Sequence, residues 1–309
     1  MRLLVGRLSV HLYGNGSEIM LKKELEISCY VAGAGAFGVF LRWIQDQLAF
    51  NEAGLPDRNA LHVIFPVYVL ICAIVFRHFV LAYKKAGVQP PEDFAAAFEN
   101  SGRLFTLLRW VCGGVMFVGG TVLLMTSETD KFAGLLRALS LTAMLAGLCF
   151  PLMMTWADKA ASRLNVLCLL SFVPMFVYAV WLVYCYRANS IEPVVWSYAV
   201  EVFTVIVTMV AFFRVAGFAF QTPKPLRCLF DVMFAAMMCL TSLADERYMG
   251  MQLILLGSAL TLMFEAWLLV KNLAPIAGET AEEAAAKDET DKDDEDDKPV
   301  VSSDGFEHL

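Results

Sequence analysis

Eight long apolar runs leave this chain few ways to fold. They cover roughly 27–46, 61–81, 104–126, 136–156, 164–186, 194–216, 226–244 and 249–271. A helix crossing a bilayer needs about 20 mostly apolar residues. Inside lipid every backbone N–H and C=O must be bonded within the protein, so only helices and closed barrels can span. The runs are too long for barrel strands and lack their period-two alternation. The expected fold class is all-α: a polytopic membrane bundle of about eight transmembrane helices over residues 27–272. The first run is the weakest, because Arg42, Gln45 and Asp46 polarise its end.

Composition agrees. The chain is 58% hydrophobic and 18% charged, with a mean hydropathy of +0.60. Soluble domains are about 45–50% apolar and about a quarter charged. The formal charge of −7 belongs to one end: residues 277–309 hold 13 Asp/Glu and 3 Lys, leaving 21 Lys/Arg and 18 Asp/Glu before them. Residues 273–309, with "KDETDKDDEDDK", are expected to be a disordered acidic cytoplasmic tail, since like charge without apolar period cannot build a core. Such a tail is either a solvated end or a docking strip for a basic protein partner. It lacks the EF-hand pattern and its glycine. No nucleic-acid partner is expected.

Loop charge gives an orientation. With the N-terminus inside, thirteen Lys/Arg flank the cytoplasmic ends of the runs and six the opposite ends. Short cytoplasmic loops carry such an excess, so both termini are expected in the cytoplasm. Trp181, Trp196 and Tyr198 sit near outer ends, and Trp110, Trp156 and Trp267 near inner ends, as interfacial belts do. Residues 1–26 read as a leader and basic anchor, with "MLKKELEISCY" from Met20 as a natural start. The loop "KKAGVQPPEDFAAAFENSGR" reads either as a connector or as a short amphipathic helix on the cytoplasmic face. Its cues are Pro91, the acidic Glu92 and Asp93, and the Phe94/Phe98 pair.

The motifs of soluble enzymes are missing. No P-loop, GxSxG or dinucleotide fingerprint occurs. Eight scattered cysteines and four histidines show no metal-ligand spacing, and buried thiols behave as small hydrophobes. No cofactor or metal is expected. Pro66, Pro151 and Pro174 lie inside runs, where kinks are expected. "AGAGAFG" (32–38) and "CGGVMFVGG" (112–120) offer small residues for close helix approach.

Ionisable groups inside the membrane are the functional candidates, because each costs about 2.5–3.5 kcal/mol if deep and unpaired. Three carboxylates qualify: Glu201, Asp231 and Glu265. Arg214, Arg227, Asp231 and Glu265 fall at similar depth near the cytoplasmic side. Arg227 and Asp231 are i,i+4 and can meet. Glu265 is then left to Arg214, or to the long side chains of Lys271 and Lys224. A proton- or cation-binding cluster is the functional alternative. Glu201 lies toward the outer side without a basic partner in its own helix; Ser197, Tyr198 and Thr204 are near enough to bond it. Arg42 and Asp46 form a second i,i+4 pair. Arg77, His78 and Arg109 suit lipid phosphates or simple anchoring.

The segment "GAFGVFLRWIQDQLAFNEAGLPDRNALHVIFPV" (35–67) resembles a group of uncharacterised polytopic membrane proteins of Gram-positive gut bacteria with no assigned activity. The resemblance covers about a tenth of the chain and implies a bacterial cytoplasmic-membrane setting. Three functions compete. A transporter or permease for a small solute or ion accounts for kinks and buried carboxylates, although no transporter repeat is visible. A non-catalytic partner (a sensor, assembly factor or subunit) accounts for the tail. An intramembrane lipid enzyme needs a convergent base and nucleophile, and His62 and His78 are 16 residues apart. The balance leans away from an enzyme and narrowly toward transport.

Overall fold

A computed structural model describes residues 16–48, 61–85, 88, 90, 91, 93–98, 102–156, 164–190 and 198–273. Among them the chain is helical with no strand: α1 Gly16–Leu48, α2 Leu61–Lys85, α3 Phe94–Phe98, α4 Arg103–Thr126, α5 Ala133–Thr155, α6 Leu164–Asn189, α7 Ala199–Ala219, α8 Pro225–Thr241 and α9 Met249–Lys271. Two 3₁₀ turns, η1 Ser127–Thr129 and η2 Ser242–Ala244, close short links. Eight of these helices are long and apolar enough to cross a membrane. Their spans run Glu26–Leu48, Val63–Lys85, Arg103–Thr126, Ala133–Thr155, Leu164–Asn189, Ala199–Ala219, Pro225–Ala244 and Met249–Lys271. The expected all-α polytopic bundle is what forms. The questions of the Met20 start and the acidic tail fall largely outside the described residues, although α1 itself runs through Met20.

Successive helices pack as neighbours from α4 to α9, and α1 returns to lie on α8 and α9. Helix α9 is central, with 72% of its most apolar stretch buried, while α2 is peripheral with 17%. The exposed Val63, Ile64, Val67, Leu70, Ile71 and Ile74 of α2 are what a lipid-facing surface needs. Because the spans alternate in direction, the bundle has an Asp245 end and a Lys271 end.

Glycine sets the central contact. A Cβ on Gly119 would lie 2.7 Å from the Ile254 nitrogen, and one on Gly257 2.7 Å from the Met116 nitrogen. Helices α4 and α9 therefore approach backbone to backbone, as small residues permit in membranes. Gly113 and Gly120 do the same for α4 against α5. The "CGGVMFVGG" expectation is met by three of its four glycines; Gly114 faces open space. Pro66, Pro151 and Pro174 lie inside continuous helices.

Helix α3 corrects one expectation. Phe94, Ala97 and Phe98 are buried. Phe98 meets Phe218 edge to face at 5.3 Å, and Asn272 Nδ2 donates to the Ala97 carbonyl at 2.7 Å. The short helix plugs the Lys271 end of the bundle instead of lying on a membrane surface. Two aromatic rings could not be covered by headgroups as completely as by protein.

Candidate functional site

The polar groups gather in two layers at opposite ends. At the Asp245 end, η2 ends "SLA" with a tight turn that presents Asp245 to the bundle, its N–H reaching the Ser242 carbonyl. Arg42 Nε of α1 donates to Asp245 Oδ1 at 2.6 Å, and Arg247 Nη2 donates to Oδ2 at 2.6 Å. Ser242 Oγ adds a bond to Oδ2 at 3.2 Å. Arg247 turns its Nη1 to the Ser242 carbonyl at 3.0 Å and its Nε toward Glu201 Oε1 at 3.5 Å. Trp181 Nε1 of α6 donates to the same Glu201 oxygen at 2.8 Å. Arg42 also donates from Nη1 to Gln45 at 2.9 Å. Two cations and two carboxylates thus form a neutral chain joining α1, α6, α7 and the η2–α9 link. Tyr248 extends it sideways by donating to Asp130 Oδ2 at 2.7 Å.

Both arginines are almost fully enclosed, at 5% and 7% side-chain exposure. A buried ion pair offsets its desolvation only when its remaining donors and acceptors are bonded. Here nearly every such atom has a named partner. This layer is a clamp.

At the other end, Arg214 Nε of α7 meets Asp231 Oδ2 of α8 at 3.1 Å, both half-buried. Arg227 is exposed and acts on Asp231 only through its field. Glu265 stands apart. It is fully buried, and among the described residues neither carboxyl oxygen has a hydrogen-bond partner. Cys112 of α4 and Cys228 of α8 are within electrostatic reach of it. The α4–α9 register, set by Gly119 against Ile254 and Gly257 against Met116, brings Arg109 level with it. Arg109 is also buried, and its Nη1 donates to the Met154 carbonyl at 2.9 Å in the last turn of α5. Lys271 lies over the Phe105 ring at 4.6 Å. Between the layers, Tyr178 donates to Ser258 Oγ at 2.5 Å, with Thr208 and Cys239 3.1 Å apart beside it.

Several pairings expected from spacing are corrected. Asp231 takes Arg214 on the neighbouring helix in preference to Arg227 one turn away, because Arg227 points outward. With Arg214 so engaged and Lys271 over aromatic rings, neither oxygen of Glu265 takes a hydrogen bond from these cations among the described residues. Glu201 has no basic partner on its own helix, as expected, and takes Arg247 from the η2–α9 link. Arg42 turns to Asp245; Asp46 is exposed. Arg109 is buried and bonded to the last turn of α5, whereas Arg77 and His78 are exposed on α2. Trp181 is fully buried and bonded, so it is no belt residue. His62's side chain and Trp196 are outside the described residues. Asp245, Arg247, Asp130 and Tyr248 were not singled out by the sequence. The available signal was "ADER" (244–247): three adjacent charges in a link too short to leave the bundle surface.

These features define a polytopic integral membrane protein with a closed ionic clamp at one end and an unpaired carboxyl near the other. No protein family model matches the chain, and neither the curated proteins nor the solved structures contain a match.

Proposed function

We propose that the chain is a permease for a small solute or ion whose cycle is coupled to protonation of Glu265. The observation that carries this is the contrast among the three intramembrane carboxylates. Glu201 and Asp231 are each neutralised by an arginine, and Glu265 has no partner at either oxygen. A group so placed is costly to structure and is by default a functional one. A carboxyl that binds a proton when enclosed and releases it when its surroundings open would couple proton movement to a change of conformation. Glu265 is six residues from Lys271, about 9 Å along the helix axis at about 1.5 Å per residue. The proton's route to the Lys271 end is accordingly short.

The test is proton flux in proteoliposomes under an imposed pH gradient. Wild-type protein should carry protons when a transported solute is present, and Glu265→Gln should abolish flux while leaving expression and melting unchanged. Equal flux from wild type and variant would overturn the assignment of Glu265.

A second reading, a non-catalytic membrane partner, is favoured by one observation. Glu201 lies at one end of the bundle and Asp231 and Glu265 at the other, and Glu201 and Asp231 are each held by an arginine. On this reading wild-type proteoliposomes carry nothing, and deleting residues 279–309 loses a co-purifying protein.

A further inference from the structure

A cleft of about 320 Å³ opens at the Lys271 end between α6, α7 and the link into α8. Three phenylalanines line it, Phe172, Phe213 and Phe220, together with Arg214, Thr222 and Lys224. The three rings are 40–55% exposed. The link is a tight turn: Gln221 has φ 55°, in the left-handed region, and Thr222 N–H bonds back to the Gly217 carbonyl at 2.9 Å. That turn brings Lys224 over the cleft. The Lys224 side chain is exposed and makes no bond to another described residue, while its carbonyl accepts from Cys228 N–H at 2.8 Å.

Arg214 is presented edge-on. Asp231 holds its Nε, and its two Nη groups make no bond within the described residues. Asp231 therefore cancels one charge while orienting the guanidinium. Arg227, acting on Asp231 from the first turn of α8, restores a positive balance. Helix α8 starts here with Pro225 at its first position and no side chain capping its free amides. The free amides of a helix N-terminus attract anions. Cations and aromatic walls thus share one cleft at the end of two membrane spans, beside the start of α8.

We propose that this cleft binds the phosphate headgroup of an anionic phospholipid, with the acyl chains lying along Phe172, Phe213 and Phe220. Arg214 and Lys224 contact the phosphate oxygens, as a planar fork and a point charge respectively. The exposed rings favour a lipid over a free anion. A soluble phosphate gains nothing from three apolar walls, whereas acyl chains cover them. The proposal is independent of Glu265.

The experiment is native mass spectrometry of the purified full chain with phosphatidylglycerol or phosphatidylcholine added, and inorganic phosphate as competitor. Wild type should retain phosphatidylglycerol in preference to phosphatidylcholine, with inorganic phosphate failing to displace it. A surface cation contributes roughly fivefold to such binding, so Lys224→Gln should weaken it about fivefold and Lys224→Glu about thirtyfold. The Lys224 side chain has no structural bond, so both variants should melt like wild type. Arg137→Glu, an exposed charge reversal at the opposite end, should leave binding unchanged. The proposal is overturned by equal retention of the two lipids, by wild-type binding in Lys224→Glu, by equal weakening in Arg137→Glu, or by displacement with inorganic phosphate.

Discussion

The two ends of this bundle handle buried charge in opposite ways. At the Asp245 end, two arginines and two carboxylates are enclosed together, and almost every donor finds an acceptor. At the Lys271 end, one carboxyl is enclosed alone. Every buried ion faces a desolvation penalty, which reaches several kcal/mol per ion after relaxation. Only the Asp245 end has the compensating geometry. The lesson is that burial alone does not make an ionisable group structural or functional; its partners do. A clamp with all its bonds made resists change, and a lone carboxyl favours whichever conformation gives it a bond or a proton.

Removing a partner should hurt most where the pairing is complete. Asp245→Ala strands Arg42 and Arg247, and about 3–5 kcal/mol of stability should be lost. Chemical unfolding in detergent measures it, and an unchanged midpoint would break the comparison. The opposite sign is expected at the other end. Glu265→Met replaces an unsatisfied carboxyl with a flexible apolar chain of similar length, and stability should rise by about 1–3 kcal/mol. A loss there would mean that Glu265 is bonded after all.

Smaller effects sharpen the picture. Trp181→Phe keeps one aromatic ring but deletes the donor to Glu201 together with the rest of a fully buried indole. A loss of about 2 kcal/mol is expected, since Arg247 still holds Glu201. The smallest effect is a pH dependence at Tyr248. Its hydrogen bond to Asp130 comes first, then burial, then the charge of that carboxylate, and together they raise the phenol above its ordinary 10.0. The folded state keeps this proton longer than the unfolded state. The contribution is therefore whole below about pH 10 and disappears as pH rises through the folded value. Unfolding midpoints followed through that alkaline range should fall less steeply for Tyr248→Phe than for wild type.

The spans were legible in the sequence because each needs only length and apolar content, and both are local. Six of the eight spans lie within three residues of their sequence boundaries at both ends; the run at 61–81 continues to Lys85, and the run at 194–216 begins as a span only at Ala199. The pairings were not legible, since which arginine meets which carboxylate depends on how helices face one another. Arg227 is four residues from Asp231 and points away; Arg214 is seventeen residues away and bonds it. Arg42 and Asp245 are separated by 203 residues. Helical periodicity names candidates on one helix and is blind to those on the next. The glycines of α4 were the exception: a small residue in an apolar run marks a close crossing whichever helix supplies the other side.

Those crossings govern which parts can move. With backbones touching at Gly119, Gly250 and Gly257, and again at Gly113 against Gly147, α4, α5 and α9 cannot slide or roll past one another without collision. They constitute a keel. Whatever shape change this molecule undergoes has to be hinged on that keel, with the peripheral α2 as the piece freest to swing.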